Sequence, residues 1–226
     1  MSILLNRLTG SNFILNEFGI KVEFTLKWEC IQMIIWLNGA FGAGKTHTAH
    51  ELHRRIPDSL IYDPEQVGYF LNKNLPKELT NRDFQEHTIW RQFNYETLKY
   101  ITSSVDRVII VPMTVVNAQY FGEIIGKLKR DDVEVHQFVL WASEETLKGR
   151  LKSRFEHDNS WPMQQIERCM KGLSHEVFEE KIDTNNLSIE QVAELIATKV
   201  HIQLTEDQRS GFKKKWDRFL MRVRKV

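Results

Sequence analysis

The chain has 226 residues, 42% of them hydrophobic, and a formal net charge of +1, a profile that suits one sizeable globular domain and excludes a disordered or collagen-like chain. No apolar run approaches the roughly 18 residues of a membrane-spanning helix, and the first residues, MSILLNRLTGSNFILNEFG, lack the long apolar centre and small-residue cleavage site of a secretory signal. Two cysteines, Cys30 and Cys169, are too few for a disulfide framework, so a reducing cytoplasm is the expected compartment.

In chain order, residues 1–32 come first and fit the later pattern poorly. Trp28-Glu29 must be encoded TGG GAR, a purine-rich stretch a short distance before the codon of Met33. An untranslated ribosome-binding site ahead of a bacterial start codon has that appearance when read as protein. The expectation is an extension produced by a misplaced start; the alternative is a genuine arm with a hairpin at 20–28.

From Met33 onward, apolar runs alternate with helical patterns. MIIWL (33–37) predicts a buried strand, 45–56 a helix, SLIYD (59–63) a short strand, and 64–72 and 81–103 two helices. RVIIVPMTV (107–115) predicts a third strand, 118–130 a helix, and VEVHQFVLWA (133–142) a fourth strand. Ser143 is an N-cap candidate for a helix over 143–155, with glutamates in its first turn. The polar loop EHDNSWP leads to a helix at 163–172. EEKIDT is a fifth short strand, and 188–202 is a helix capped by Ser188. Strands alternating with helices of this length imply a parallel sheet of about five strands with helices on both faces.

Between the first strand and first helix lies Gly39-Ala40-Phe41-Gly42-Ala43-Gly44-Lys45-Thr46. It satisfies G-x-x-x-x-G-K-[ST] in the strand–loop–helix context that the motif requires. The glycines let successive backbone N–H groups face phosphate oxygens, and the helix N-terminus adds positive potential there. Lys45, taken as facing solvent, is placed for the β and γ phosphates, and the Thr46 hydroxyl for Mg²⁺. The expected ligands are therefore ATP and Mg²⁺.

The acid that often ends the third strand of such folds is missing, because that strand leaves through PMTV. Asp63 and Glu65 follow the second strand instead. Asp63 is a candidate base or metal ligand, and Glu65 a candidate substrate contact. Asp63-Pro64 equally suits a simple turn. Arg150 and Arg154, spaced i, i+4 before the polar loop, are candidates for a lid around 150–162 that closes on phosphates, or else part of a solvated helix face. Arg91 is a candidate for the acceptor, or for a surface ion pair. The eight histidines show no metal-ligand spacing.

The last 18 residues carry eight basic side chains against one acid, +7, which leaves −6 on the rest of the chain. Within 204–226, Phe212, Trp216, Phe219, Leu220 and Val223 recur at helical spacing, with the basic residues on the other face. Such a helix suits an anionic membrane surface, the alternative being a terminal helix packed on the domain. Nucleic acid is not an expected partner, since the acidic body continues no basic surface.

The segments MIIWLNGAFGAGKT, ELHRRIPDSLIYDPE, IIVPMTVV, FGEIIGKLKR, ASEETLKGRLKSR and IDTNNLSIEQVAE resemble the tunicamycin-resistance ATP-binding proteins of the TmrB type. The resemblance runs from Met33 nearly to the tail and leaves residues 1–32 outside. It implies a P-loop domain over 33–203, similar in fold to nucleotide and shikimate kinases. It also implies ATP binding, resistance to the acylated nucleoside antibiotic tunicamycin, and peripheral association of the C-terminal helix with the inner face of the cell membrane. Two activities stay open under it. One is phosphoryl transfer to the drug or another nucleoside-like molecule; the other is ATP-gated sequestration without chemistry.

Overall fold

A computed structural model describes residues 12–15, 21–24, 32–79 and 83–223. The chain divides into two units, Met1–Ile31 and Gln32–Val226. In the first, strands β1 (Asn12–Leu15) and β2 (Lys21–Phe24) pair antiparallel, with Asn12 opposite Phe24. Residues 25–28 of the expected hairpin, like most of the suspected extension, lie outside the described residues.

The second unit is built on a five-stranded parallel sheet. Its strands are β3 (Met33–Gly39), β4 (Leu60–Ile61), β5 (Val108–Pro112), β6 (Val135–Trp141) and β7 (Lys181–Asp183), in the spatial order β4-β5-β3-β6-β7. All the pairings in this sheet are parallel. β3 is central, and Ile34, Ile35, Trp36 and Leu37 are fully buried. A strand buried on both faces reads as an unbroken apolar run, which is why MIIWL was legible. The chain leaves β3 toward β4 and β5 on one side and reaches β6 and β7 on the other. The carboxyl end of β3 is thus the topological switch point at which open parallel sheets bind ligands.

The helices are α1 (Lys45–Arg55), α2 (Pro64–Asn74), α3 (Thr88–Ser104), α4 (Ala118–Phe121), α5 (Lys127–Arg130), α6 (Glu144–Lys152), α7 (Trp161–Gln164), α8 (Ile166–Leu173), α9 (Ile189–Lys199) and α10 (Gly211–Val223). Four of the expected helices need correction, and the one over 143–155 stops at Lys152. The single helix over 81–103 is replaced by a 3₁₀ turn, Phe84–Glu86, and then α3; Asp83 caps the turn by accepting from the Gln85 N–H at 3.1 Å. The helix over 118–130 opens into a π turn at Gly122–Gly126, bounded by a glycine at each end. The helix over 163–172 is two short helices that meet at Gln165.

The tail is tied to the body at its root. The Arg209 guanidinium donates to Glu51 Oε2 (2.7 Å), Asp207 Oδ2 (2.7 Å) and Asp217 Oδ2 (3.0 Å). Lys214 Nζ lies 3.0 Å from Asp207 Oδ2 and 3.9 Å from Glu190 Oε1. Hydrogen bonding from Arg209 holds the Asp207 carboxyl well below its ordinary range, and burial opposes this. Part of the tail's +7 is therefore spent inside the protein and does not face solvent. The oxygens of Glu51, Glu190 and Asp207 lie within 4.8 Å of one another, but Arg209 and Lys214 occupy that cluster as its cations. Farther along, Phe212 and Trp216 are exposed by 79% and 52%. The side chains of Phe219 and Val223 lie outside the described residues. Among the described residues, no helix is long and apolar enough to cross a membrane.

Candidate functional site

The loop between β3 and α1 depends on glycine at three points. Gly39, Gly42 and Gly44 have φ of +146°, +83° and +101°, a region that side chains rarely adopt. At the first two, space is closed as well: a Cβ on Gly39 would meet the Leu140 carbonyl oxygen at 2.7 Å, and one on Gly42 the Leu147 carbonyl oxygen at 2.9 Å. The loop is thus seated between β6 and α6.

Its base is fixed by the segment after β5. Asn38, fully buried, donates from Nδ2 to Val115 O (2.8 Å), and its Oδ1 accepts the N–H groups of Gly39 (2.8 Å) and Val115 (3.1 Å). Thr114 Oγ1 donates to Gly39 O at 2.8 Å, and Trp36 Nε1 to Met113 O at 3.2 Å. In PMTV, which has no acid, the Thr114 hydroxyl holds the loop.

Lys45 corrects the expectation of a solvent-facing side chain. It is 8% exposed, and its ammonium donates to Gly39 O (2.8 Å) and Ala40 O (3.1 Å) across the loop it belongs to. Thr46 follows it in the first turn of α1 and is half-buried. That turn holds no acidic residue, so the positive end of the helix is not neutralised there.

A cavity of about 400 Å³ opens beside the loop. Phe41 of the loop and Trp161 of α7 form one wall, ring centroids 5.0 Å apart and edge to face. Tyr69 and Phe84 form another, 6.2 Å apart, and Met113, Thr114 and Val116 form the floor. Glu65, Asp83, Gln85 and Arg168 supply the polar lining. Gln85 is fastened to the floor through Thr114 O (3.1 Å), and Arg168 reaches Asp83 at 3.2 Å.

The other candidates fall in different places. Glu65 lines the cavity, and its Oε2 accepts a long hydrogen bond from the Tyr69 hydroxyl (3.5 Å). Burial, then the charges of Glu65 and Asp63, raise the Tyr69 phenol above its ordinary pKa. Asp63 does not line the cavity. Its Oδ1 accepts the Glu65 N–H at 3.0 Å, so it caps α2 one position before Pro64. Arg150 donates to Thr184 Oγ1 (3.1 Å) and Thr184 O (2.5 Å), and burial lowers its guanidinium pKa against the pull of Asp183. Arg154 does not share its helix face: α6 stops at Lys152, and Arg154 sits in the following turn, which ends at Phe155 with φ +64°. Neither arginine lines the cavity. Arg91 is 6% exposed and is held by Glu123 (2.5 Å) and Gln85 O (2.5 Å), 4.2 Å from the Tyr120 ring. It supports the cavity wall through Gln85 and does not touch the space. Its guanidinium in turn holds the Glu123 carboxyl below its ordinary pKa.

Sequence reasoning missed Trp161, Phe84, Asp83 and Arg168. A tryptophan inside the polar stretch EHDNSWP was the one visible signal. The other three come together only when α8 packs beside the 83–85 turn.

The donor set fits a magnesium nucleotide in part. The loop N–H groups, Lys45 and Thr46 present the positive and hydroxyl groups that a polyphosphate with its metal needs. Asp63, engaged as a helix cap, is the weaker match for a direct metal ligand.

Comparison with known proteins agrees with this geometry. An AAA domain model matches residues 34–175. The structure of the Deinococcus radiodurans tunicamycin resistance protein is 34% identical, covers 78% of this chain and 99% of its own, and superposes with a TM-score of 0.68. A shikimate kinase from Bacteroides thetaiotaomicron is 16% identical, covering 75% of this chain and 99% of its own, with a TM-score of 0.54. A sugar kinase from Janibacter sp. is 17% identical, covering 76% and 95%, with a TM-score of 0.52. These two share the fold. No curated protein sequence matches the chain.

Proposed function

The chain belongs to the AAA domain family, in the tunicamycin-resistance group of P-loop kinase-like proteins, and from that premise we propose that it binds MgATP at Gly39–Thr46 and phosphorylates tunicamycin or a related nucleoside-like molecule. The supporting observation is the cavity of about 400 Å³ that shares Phe41 with the phosphate loop and carries Glu65 on its wall. An acceptor seated there lies next to the phosphates without passing through the protein.

In this scheme the loop N–H groups and Lys45 bind the β and γ phosphates, Lys45 exchanging its two carbonyl partners for phosphate oxygens. Mg²⁺, when bound through the Thr46 hydroxyl, neutralises charge on the phosphates. The acceptor hydroxyl attacks the γ phosphorus, the bond to the β–γ bridging oxygen breaks, and ADP leaves. Glu65 is the better placed base, because it faces the cavity and Asp63 does not; Asp63 holds the first turn of α2 that carries Glu65. Arg150 and Arg154 retain a role only in a lid that closes over bound nucleotide. Purified protein incubated with [γ-³²P]ATP and tunicamycin should yield labelled drug. Glu65→Gln should lower kcat by about 10²–10⁴-fold, the usual contribution of a general base. Asp63→Asn should cost less. Unlabelled drug together with tight ATP-dependent drug binding would replace this reading with sequestration, a reading that the absence of an acid in PMTV after β5 supports.

The tail is proposed to bind the inner face of the membrane through Phe212 and Trp216, with the basic residues of its sequence attracting anionic lipid at about 1 kcal/mol each. Arg209 is retained in a test of the tail alone, because its loss would also remove one of the two cations of the buried Glu51 carboxylate and leave only Arg54. A chain ending at Ser210 should fold and bind nucleotide but no longer sediment with anionic vesicles. Full-length protein that ignores such vesicles at low salt would end the proposal.

A further inference from the structure

The root of the tail is joined to the phosphate loop by two routes. The first is α1, which begins with Lys45 and Thr46 and carries Glu51 six residues on, about 9 Å along the helix. Glu51 is 3% exposed and accepts from both Arg54 and Arg209 at 2.7 Å. One turn later Arg55 donates to Thr205 O (2.8 Å), while the Thr205 N–H (2.9 Å) and hydroxyl (3.1 Å) donate back to Arg55 O. The second route is α9. Its first residue, Ile189, has a methyl 3.2 Å from where a Cβ on Gly44 would stand, and the next, Glu190, faces Lys214. α1 thus carries the loop at its start and meets the tail segment through Glu51 and Arg55, while the first turn of α9 touches the loop through Ile189 and the tail through Glu190.

The junction is only partly satisfied. Glu51 Oε1 is buried with no hydrogen-bond partner, although Oε2 has two. A buried carboxylate held through one oxygen is sensitive to small movements of its helix. Phosphates engaging Lys45 and Thr46 act on the same helix.

We infer that Arg209 is a positioning residue for the nucleotide site: through its buried pair with Glu51, docking of segment 205–223 and binding of nucleotide strengthen each other. This rests on the nucleotide-binding reading of the loop. Both events order α1, so whichever comes first leaves less ordering for the second. The coupling is reciprocal by thermodynamic necessity.

The test uses full-length protein, the non-hydrolysable analogue AMPPNP with Mg²⁺, calorimetric affinity, and amide hydrogen exchange over 205–223. Nucleotide should slow exchange there about fivefold or more in the wild type, within the usual range of coupling. Arg209→Gln should bind AMPPNP about 5–150-fold more weakly and lose that nucleotide-dependent protection. Because this variant leaves the buried Glu51 carboxylate with Arg54 as its one cation, the double variant Glu51→Gln/Arg209→Gln removes both charges of the pair together. It should stay folded, bind more weakly than wild type and show the same tail exchange with and without nucleotide. Wild-type protein that binds AMPPNP with unchanged tail exchange overturns the coupling. So does a folded double variant with wild-type affinity and protection. Wild-type protein that binds no nucleotide refutes the reading of the loop itself, and the coupling with it.

Discussion

Lys45→Ala should abolish measurable ATP binding and lower the melting temperature only modestly. Lys45 is the one lysine of the glycine loop, its ammonium already gathered against Gly39 O and Ala40 O, so the variant should lose the proposed phosphate contact and also free two carbonyls. Hydrogen bonds from a charged donor contribute about 1.5–3 kcal/mol, so some loss of stability accompanies the loss of binding. Calorimetric titration with MgATP checks the first effect and thermal unfolding without nucleotide the second. Wild-type affinity in the variant would remove the loop from the functional account.

Gly39→Ala acts on fold and site together. The residue sits at φ +146°, and a Cβ would stand 2.7 Å from the Leu140 carbonyl oxygen and 3.0 Å from Ala43 Cβ. Both obstacles are fixed: Leu140 is paired with Gly39 in the β3–β6 register, and Ala43 belongs to the loop. An unfavourable backbone region costs about 1–3 kcal/mol and overpacking a similar amount, so the variant should lose several kcal/mol in urea unfolding. The same displacement would shift the loop from Asn38 and Thr114, so nucleotide affinity should fall with it. A variant of wild-type stability would show that the β3–β6 junction is far softer than its contacts imply.

The two substitutions differ in how much of their rationale the linear sequence contained. Gly39 and Lys45 were both legible as members of a glycine loop between strand and helix, because the motif depends on local backbone geometry and stands in a fixed order along the chain. The burial of Lys45 was not legible, since its partners are carbonyl oxygens whose direction only the folded loop sets. Strands 33–37, 107–115 and 133–142 were legible because residues buried on both faces must be apolar in succession. The boundaries at Asp83, Gly122 and Gln165 were not, because caps and a π turn are decided by which partners a helix meets. The Arg150–Arg154 spacing assumed one continuous helix, and the stop at Lys152 separated them.

Sequence alone determined the glycine-loop motif, the parallel α/β fold and the uneven charge of the tail. Each of these rests on local order: consecutive glycines before Lys45 and Thr46, apolar runs with helical spacers, and basic residues clustered after Ser210. Tertiary structure alone decided the cavity beside the loop and the fate of the candidate charges. Phe41, Glu65, Phe84, Thr114, Trp161 and Arg168 come from six separate stretches and share a wall only because β3 stands at the switch point of the sheet. Arg91 read as an acceptor contact or a surface ion pair and Arg209 as one of the tail's basic residues, yet each is buried against a carboxylate from another element. A charge is satisfied by whatever partner lies nearest in space, and spacing along the chain does not encode that distance.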